Sequence, residues 1–137
     1  MKLMIINKDR GSKILPEMSY VHIMVTDTSS DWIDLPKNEH RIDTLKLKFD
    51  DIDEDLPRYG LKAIRPYQAE KIIDFVLEYK DKVELIVCQC DGGVCRSAGM
   101  AVGISRLLRL DDDWIFKTKV PNMKVVREMS RVIYAFN

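Results

Sequence analysis

Leu85-Ile86-Val87-Cys88-Gln89-Cys90-Asp91-Gly92-Gly93-Val94-Cys95-Arg96-Ser97 reads as a strand, a tight loop and the start of a helix. Its first four residues are apolar, as in a strand covered on both faces. Two adjacent glycines follow in the loop, and the small, apolar segment Ala98 to Ile104 comes next. Cys90 stands six residues before Arg96, with Ser97 directly after it. Such a loop can wrap its backbone N–H groups around one phosphate-sized anion, at the positive end of the following helix. Cys90 would then lie under the anion, and Arg96 would bind two of its oxygens in a planar fork.

The flanking segments supply the rest of an α/β pattern. Upstream, Pro66 suits the first position of a helix. Ala69, Ile72, Ile73, Val76 and Leu77 then give that helix one buried face. Leu45, Leu47 and Phe49 alternate with Lys46 and Lys48, the pattern of a half-buried strand. Leu3 to Ile6 and Tyr20 to Thr26 read as two further strands. His22, in the second, is expected to be structural, because no second metal-ligand type is spaced near it. Residues 27–40 form a polar loop in which Trp32 and Ile33 pack locally, and 55–65, with Pro57 and Gly60, form another. Downstream, the helix after the loop is apolar almost all round to Leu108, so deep burial is expected. Gly99 and Gly103 share one of its faces, where another element could approach closely. Asp111 to Asp113 are expected to end it, and Pro121 to open a last helix striped with Val125, Val126, Met129, Val132, Ile133 and Phe136. The order of elements predicts a central, mostly parallel sheet flanked by helices, with a helical crossover between the last two strands.

Composition narrows the function classes. The 137 residues fit one domain, 1–137. Basic and acidic residues balance at 22 each, which argues against nucleic acid or a membrane surface as partner. The apolar run at the N-terminus is too short for a signal peptide, and no stretch of about 18 apolar residues occurs. A cytoplasmic monomer is the expectation. The three cysteines fall within eight residues, which is not a disulfide framework. Their C-x-C-x4-C spacing is not a usual zinc pattern, and no fourth thiolate or imidazole lies nearby in sequence. Cys88 is expected to pack as a small hydrophobe.

Cys90, Gly93, Arg96 and Ser97 together resemble the signature loop of the cysteine-dependent protein tyrosine phosphatases, H-C-x-x-G-x-x-R-[S/T]. The chain is most similar to the small dual-specificity-like members of bacteria, archaea and phage, over roughly residues 40–135. It departs from the pattern in carrying Gln89 where the family has histidine. The resemblance implies hydrolysis of phosphate monoesters, with phosphotyrosine proteins first among the substrates. Phosphoserine, phosphoinositides and RNA 5′-phosphates remain open, since they use related loops. The reaction needs no metal or other cofactor.

The chemistry assigns roles to the loop. A thiolate at Cys90 splits the hydrolysis into two steps through a phosphocysteine. A helix N-terminus, a ring of N–H donors and Arg96 all favour that thiolate. Arg96 also stabilises charge on the equatorial oxygens in the transition state. Ser97 can donate to the sulfur as it leaves. The backbone of Asp91, Gly92, Gly93, Val94 and Cys95 would form the cradle, both glycines permitting close approach. The leaving oxygen needs a proton. By resemblance an aspartate of the acidic run 50–55 supplies it. Phe49-Asp50-Asp51-Ile52 is similar to the acid-bearing segment of the small bacterial members, so Asp51 is the first candidate. Asp53 is second, and Asp50 and Asp55 are third. Asp111 to Asp113 are set aside, because the helix would carry them about 20 Å away. Arg58 and Tyr59 are expected in a rim loop.

Three alternatives stand beside this reading. A non-catalytic phosphate-binding module is favoured by Gln89. A rhodanese-like sulfurtransferase or an arsenate reductase would also use a cysteine loop. The spacing C-x4-C-R-S is similar to that of the low-molecular-weight tyrosine phosphatases, where the second cysteine traps the oxidised nucleophile. Cys95 would do so here, or only pack beneath the loop.

Overall fold

The computed structural model describes residues 1–135. Four strands form its sheet: β1 (Lys2–Ile6), β2 (Tyr20–Thr26), β3 (Arg41–Lys48) and β4 (Leu85–Gln89). Their order is β1-β4-β2-β3, and every neighbouring pair is parallel. β4 and β2 are therefore central, which accounts for the nearly unbroken apolar character of both. The helices are α1 (Lys8–Gly11), α2 (Pro66–Tyr79), α3 (Arg96–Leu108), α4 (Asp113–Thr118) and α5 (Met123–Ala135), with a 3-10 turn at Pro57–Tyr59. Among the described residues, no helix is long and apolar enough to cross a membrane.

Strand alternation sorts the side chains between two faces. Val21, Ile23 and Val25 of β2 join Ile86 and Cys88 of β4 in the main core, which α2, α3 and α5 cover. Tyr20, Leu85 and Val87 point the other way, into a smaller cluster with Ile6, Met4, Ile14 and Met18. The parity of β4 thus turns Gln89 away from the α3 side. α2 starts as its sequence predicts, with Pro66 in its first turn and the Gln68 side chain accepting from the Arg65 backbone N–H at 2.8 Å.

α3 and α5 pack through the two glycines. A Cβ on Gly99 would meet the backbone oxygen of Asn122 at 2.7 Å and Val125 Cβ at 3.0 Å. A Cβ on Gly103 would meet the Met129 sulfur at 2.5 Å. Backbone cannot step aside, whereas a thioether can. Gly99→Ala should therefore cost about 1–3 kcal/mol, read as a lower urea midpoint. Gly103→Ala should cost much less, because Met129 swings away and alanine favours the helix. Equal losses would mean that the Asn122 backbone is not the rigid element.

Several boundaries differ from the sequence reading. α5 opens at Met123 rather than Pro121, because Asn122 caps it. The Asn122 Oδ1 accepts from the N–H groups of Lys124 at 3.0 Å and Val125 at 3.2 Å. Asp111 to Asp113 do not end α3. It stops at Leu108, with Arg109 in the left-handed region at φ 58°, and Asp113 begins α4. Neither α1 nor α4 was expected. Phe136 of the α5 stripe lies outside the described residues.

Candidate active site

The site lies where the C-terminal ends of β2, β3 and β4 meet, the usual ligand position of an open parallel sheet. β4 ends at Gln89, the loop 90–95 follows, and Cys95 leads into α3. Cys90 is buried at 2% exposure. Its Sγ lies 3.0 Å from Ser97 Oγ, and the Gly93 N–H points at it from 3.2 Å. Cys90 and Ser97 are thus brought together as the sequence predicts. Gly93 has φ 67°, and a Cβ there would strike Asn7 N at 2.6 Å. Both its conformation and its proximity to β1 demand glycine. Gly92 needs neither: a Cβ there meets nothing within 4 Å, which corrects the expectation for that residue. Val94 is half-exposed on the rim of the loop.

Arg96 is buried and already held on one side. Its Nη1 donates to Asp27 Oδ1 and to the Phe49 carbonyl, each at 2.7 Å. Its Nη2 lies 3.5 Å from Asp91 Oδ2, while the Thr26 hydroxyl donates to Asp91 Oδ1 at 2.9 Å. Thr26 and Asp27 were not singled out in the sequence. The signal that could have found them is their place at the carboxyl end of a central parallel strand.

The acidic run divides by its partners. Burial alone would lift the pKa of Asp50. Hydrogen bonds from the Lys62 N–H and from the hydroxyl and N–H of Thr28, with the Arg96 charge, hold it below the ordinary 3.8 instead. It is a structural carboxylate. Asp55 is also held low, first by the Ala63 N–H and then by Arg65 at 2.6 Å. Asp51 is different. It is exposed, and its Oδ1 accepts from Asn122 Nδ2 at 2.8 Å. It lines a cleft of about 260 Å³ with Ile52, Asp53, Cys95, Val120, Pro121, Asn122 and Met123. The Asn122 N–H donates to the Cys95 carbonyl at 2.9 Å, so Asn122 ties Asp51 to the loop. Arg58 and Tyr59 are exposed, the guanidinium 6.0 Å over the ring.

The remaining cysteines are thiols. Burial pushes Cys88 up to about 12, which fits a packing role. Partial burial and then the Asp51 carboxylate raise Cys95 above its ordinary value.

Gln89 does not stand alone. On the face away from α3, its Oε1 lies 2.7 Å from His22 Nε2, and both residues are 1% exposed. The site's second polar pair thus joins the two central strands. Burial lowers His22 from 6.5 to about 4; the Gln89 bond opposes this and the Arg41 charge adds to it. Below pH 6.5 the unfolded chain takes up a proton that the folded chain refuses. Stability should therefore fall between about pH 6.5 and pH 4, by roughly 3 kcal/mol from this residue. Urea midpoints across that window should drop for wild type and flatten for His22→Gln. An unchanged slope in the variant would assign the acid sensitivity elsewhere.

No family model and no curated protein matches the sequence. Solved structures do. The fold is similar to that of PTPMT1 in complex with PI(5)P, at 14% identity and TM-score 0.58, over 85% of this chain and 80% of that one. It is similar to human DUSP28 at 12% identity and TM-score 0.58, over 98% and 92%. A mouse putative dual specificity phosphatase complexed with zinc tungstate matches at 13% identity and TM-score 0.55, over 93% and 73%. The chain has the fold of the cysteine-dependent tyrosine phosphatase superfamily.

Proposed function

We propose that this chain is a phosphatase that hydrolyses phosphate monoesters, phosphotyrosine in proteins foremost, through a phosphocysteine. One observation carries the reading: a buried thiol faces a serine hydroxyl and a loop N–H at a helix N-terminus, with Arg96 directly after the loop. Cys90 attacks phosphorus, and the cradle and Arg96 hold the equatorial oxygens. Asp51 protonates the leaving oxygen. In the second step water attacks the phosphocysteine, Asp51 accepts its proton, and Ser97 donates to the departing sulfur. The chain acts as one cytoplasmic domain, as a monomer, without metal or cofactor.

Acid quenching during turnover of labelled p-nitrophenyl phosphate should trap phosphate on Cys90. Turnover without a trapped adduct, in a quench faster than the second step, would argue against the covalent route. A panel of phosphotyrosine and phosphoserine peptides, phosphoinositides and 5′-phosphorylated RNA then ranks substrates. PI(5)P, bound by PTPMT1, belongs in it.

Gln89 supports a second reading, a phosphate-binding module without turnover. The residue before Cys90 is neutral and is engaged with a neutral histidine on the opposite face of the sheet. Phosphopeptide binding with no hydrolysis of any ester would favour it.

A further inference from the structure

Arginine carries five N–H donors on two usable edges: an end edge, Nη1 with Nη2, and a side edge, Nε with Nη2. In Arg96 the end edge is closed. Both donors of Nη1 are taken at 2.7 Å, one by Asp27 Oδ1 and one by the Phe49 carbonyl. The Asp91 contact to Nη2 is long, at 3.5 Å. Among the described residues no hydrogen bond uses Nε–H. The side edge is thus the fork left for two oxygens of an anion. We propose that Asp27 is a positioning residue, which fixes the rotation of the Arg96 guanidinium so that this side edge serves the substrate. The inference rests on the phosphate-site reading above but concerns a residue that reading does not use.

Two effects of Asp27 oppose each other. Its carboxylate orients the fork, and its negative charge also weakens the pull of Arg96 on an anion. Orientation should win. The Arg96 side chain is only 6% exposed, so without Asp27 a buried cation loses one of its two short acceptors. The planar fork then gains freedom that must be lost again on binding. Asp27 itself follows β2 directly and is 44% exposed, so truncating it should not unfold the chain. Thr26, the residue before it, holds Asp91. The end of β2 therefore supports the loop at two consecutive residues.

The two effects separate in a pair of variants. Asp27→Asn keeps an acceptor oxygen and removes the charge. Asp27→Ala removes both. Positioning predicts that Asp27→Ala raises the tungstate dissociation constant and lowers kcat/KM for p-nitrophenyl phosphate, each by about 10- to 100-fold. Asp27→Asn should stay within about threefold of wild type, because the acceptor remains. In an Arg96→Ala background, Asp27→Ala should cost nothing more, since the group it positions is gone. Equal or tighter tungstate binding by Asp27→Ala would overturn the proposal. So would an undiminished loss in the Arg96→Ala background. A tungstate effect without turnover of any ester would keep this inference and end the phosphatase reading. Turnover indifferent to Asp27 would do the reverse, and a wild type that binds no tungstate would end both.

Discussion

Cys90→Ser should lower turnover of p-nitrophenyl phosphate by about three orders of magnitude or more and leave tungstate affinity within a few-fold. The asymmetry follows from what the substitution removes. The serine hydroxyl is a neutral, weak nucleophile at neutral pH, whereas a cysteine in this setting has only to lose a proton to become a strong one. Three orders of magnitude correspond to about 4 kcal/mol of barrier. Anion binding draws on other groups: the Gly93 N–H region of the loop, the start of α3 and Arg96. Arg96 and the start of α3 do not depend on sulfur, and the Gly93 N–H, which points at Sγ from 3.2 Å, can donate to a serine oxygen in its place. The substitution is small, and Ser97 Oγ at 3.0 Å from the present sulfur can bond an oxygen as well. Calorimetry with tungstate and a turnover assay on the same preparation test both halves. A substantial residual rate in Cys90→Ser would sink the covalent mechanism. Lost rate together with lost tungstate binding would mean that the loop had collapsed, and Cys90→Ala would then replace it.

The loop and its neighbours were legible because their information is local. An apolar run, a glycine loop and a small apolar helix are contiguous, and the Gly99–Gly103 spacing announced a close partner that α5 supplies. Short elements were not legible. α1 has four residues and α4 six, too few to show a 3.6-residue period. The end of α3 was misplaced because its left-handed cap is Arg109 rather than glycine, so the usual stop signal is absent. The polar pairings that organise the site are long-range. Asp27 meets Arg96 across 69 positions, Asn122 meets Asp51 across 71, and His22 meets Gln89 across 67. In sequence His22 was an isolated strand histidine and Gln89 a departure from a motif. Only the parallel pairing of β2 with β4 reveals that they are one feature.

The same limit governs the acidic run, where adjacent aspartates look alike until the fold assigns their donors, and it frames the second large effect. Asp51→Asn should lower kcat/KM for a phosphotyrosine peptide by about 10²- to 10³-fold. For an ester whose leaving group is a strong acid, the loss should stay below about tenfold, because that group departs without a proton. The alkaline fall in the wild-type pH–rate profile should disappear in the variant. Asp51 is the choice among its neighbours for physical reasons. Asp50 is enclosed by three donors that stabilise its ionised form, and Asp55 is committed to Arg65 and the Ala63 N–H. Neither is suited to hold a proton and give it up. Asp51 has one anchored oxygen, bonded to an Asn122 amide that is itself fixed as the cap of α5 and tied to the Cys95 carbonyl. That arrangement orients the carboxyl against the loop, beside the Cys95 thiol. Asparagine at position 51 can still accept from Asn122, so the fold and the loop contact survive and only the proton is lost. An equal loss on both ester types would make Asp51 structural. Asp53, which lines the same cleft, would then carry the acid role, and Asp53→Asn would show the leaving-group dependence in its place.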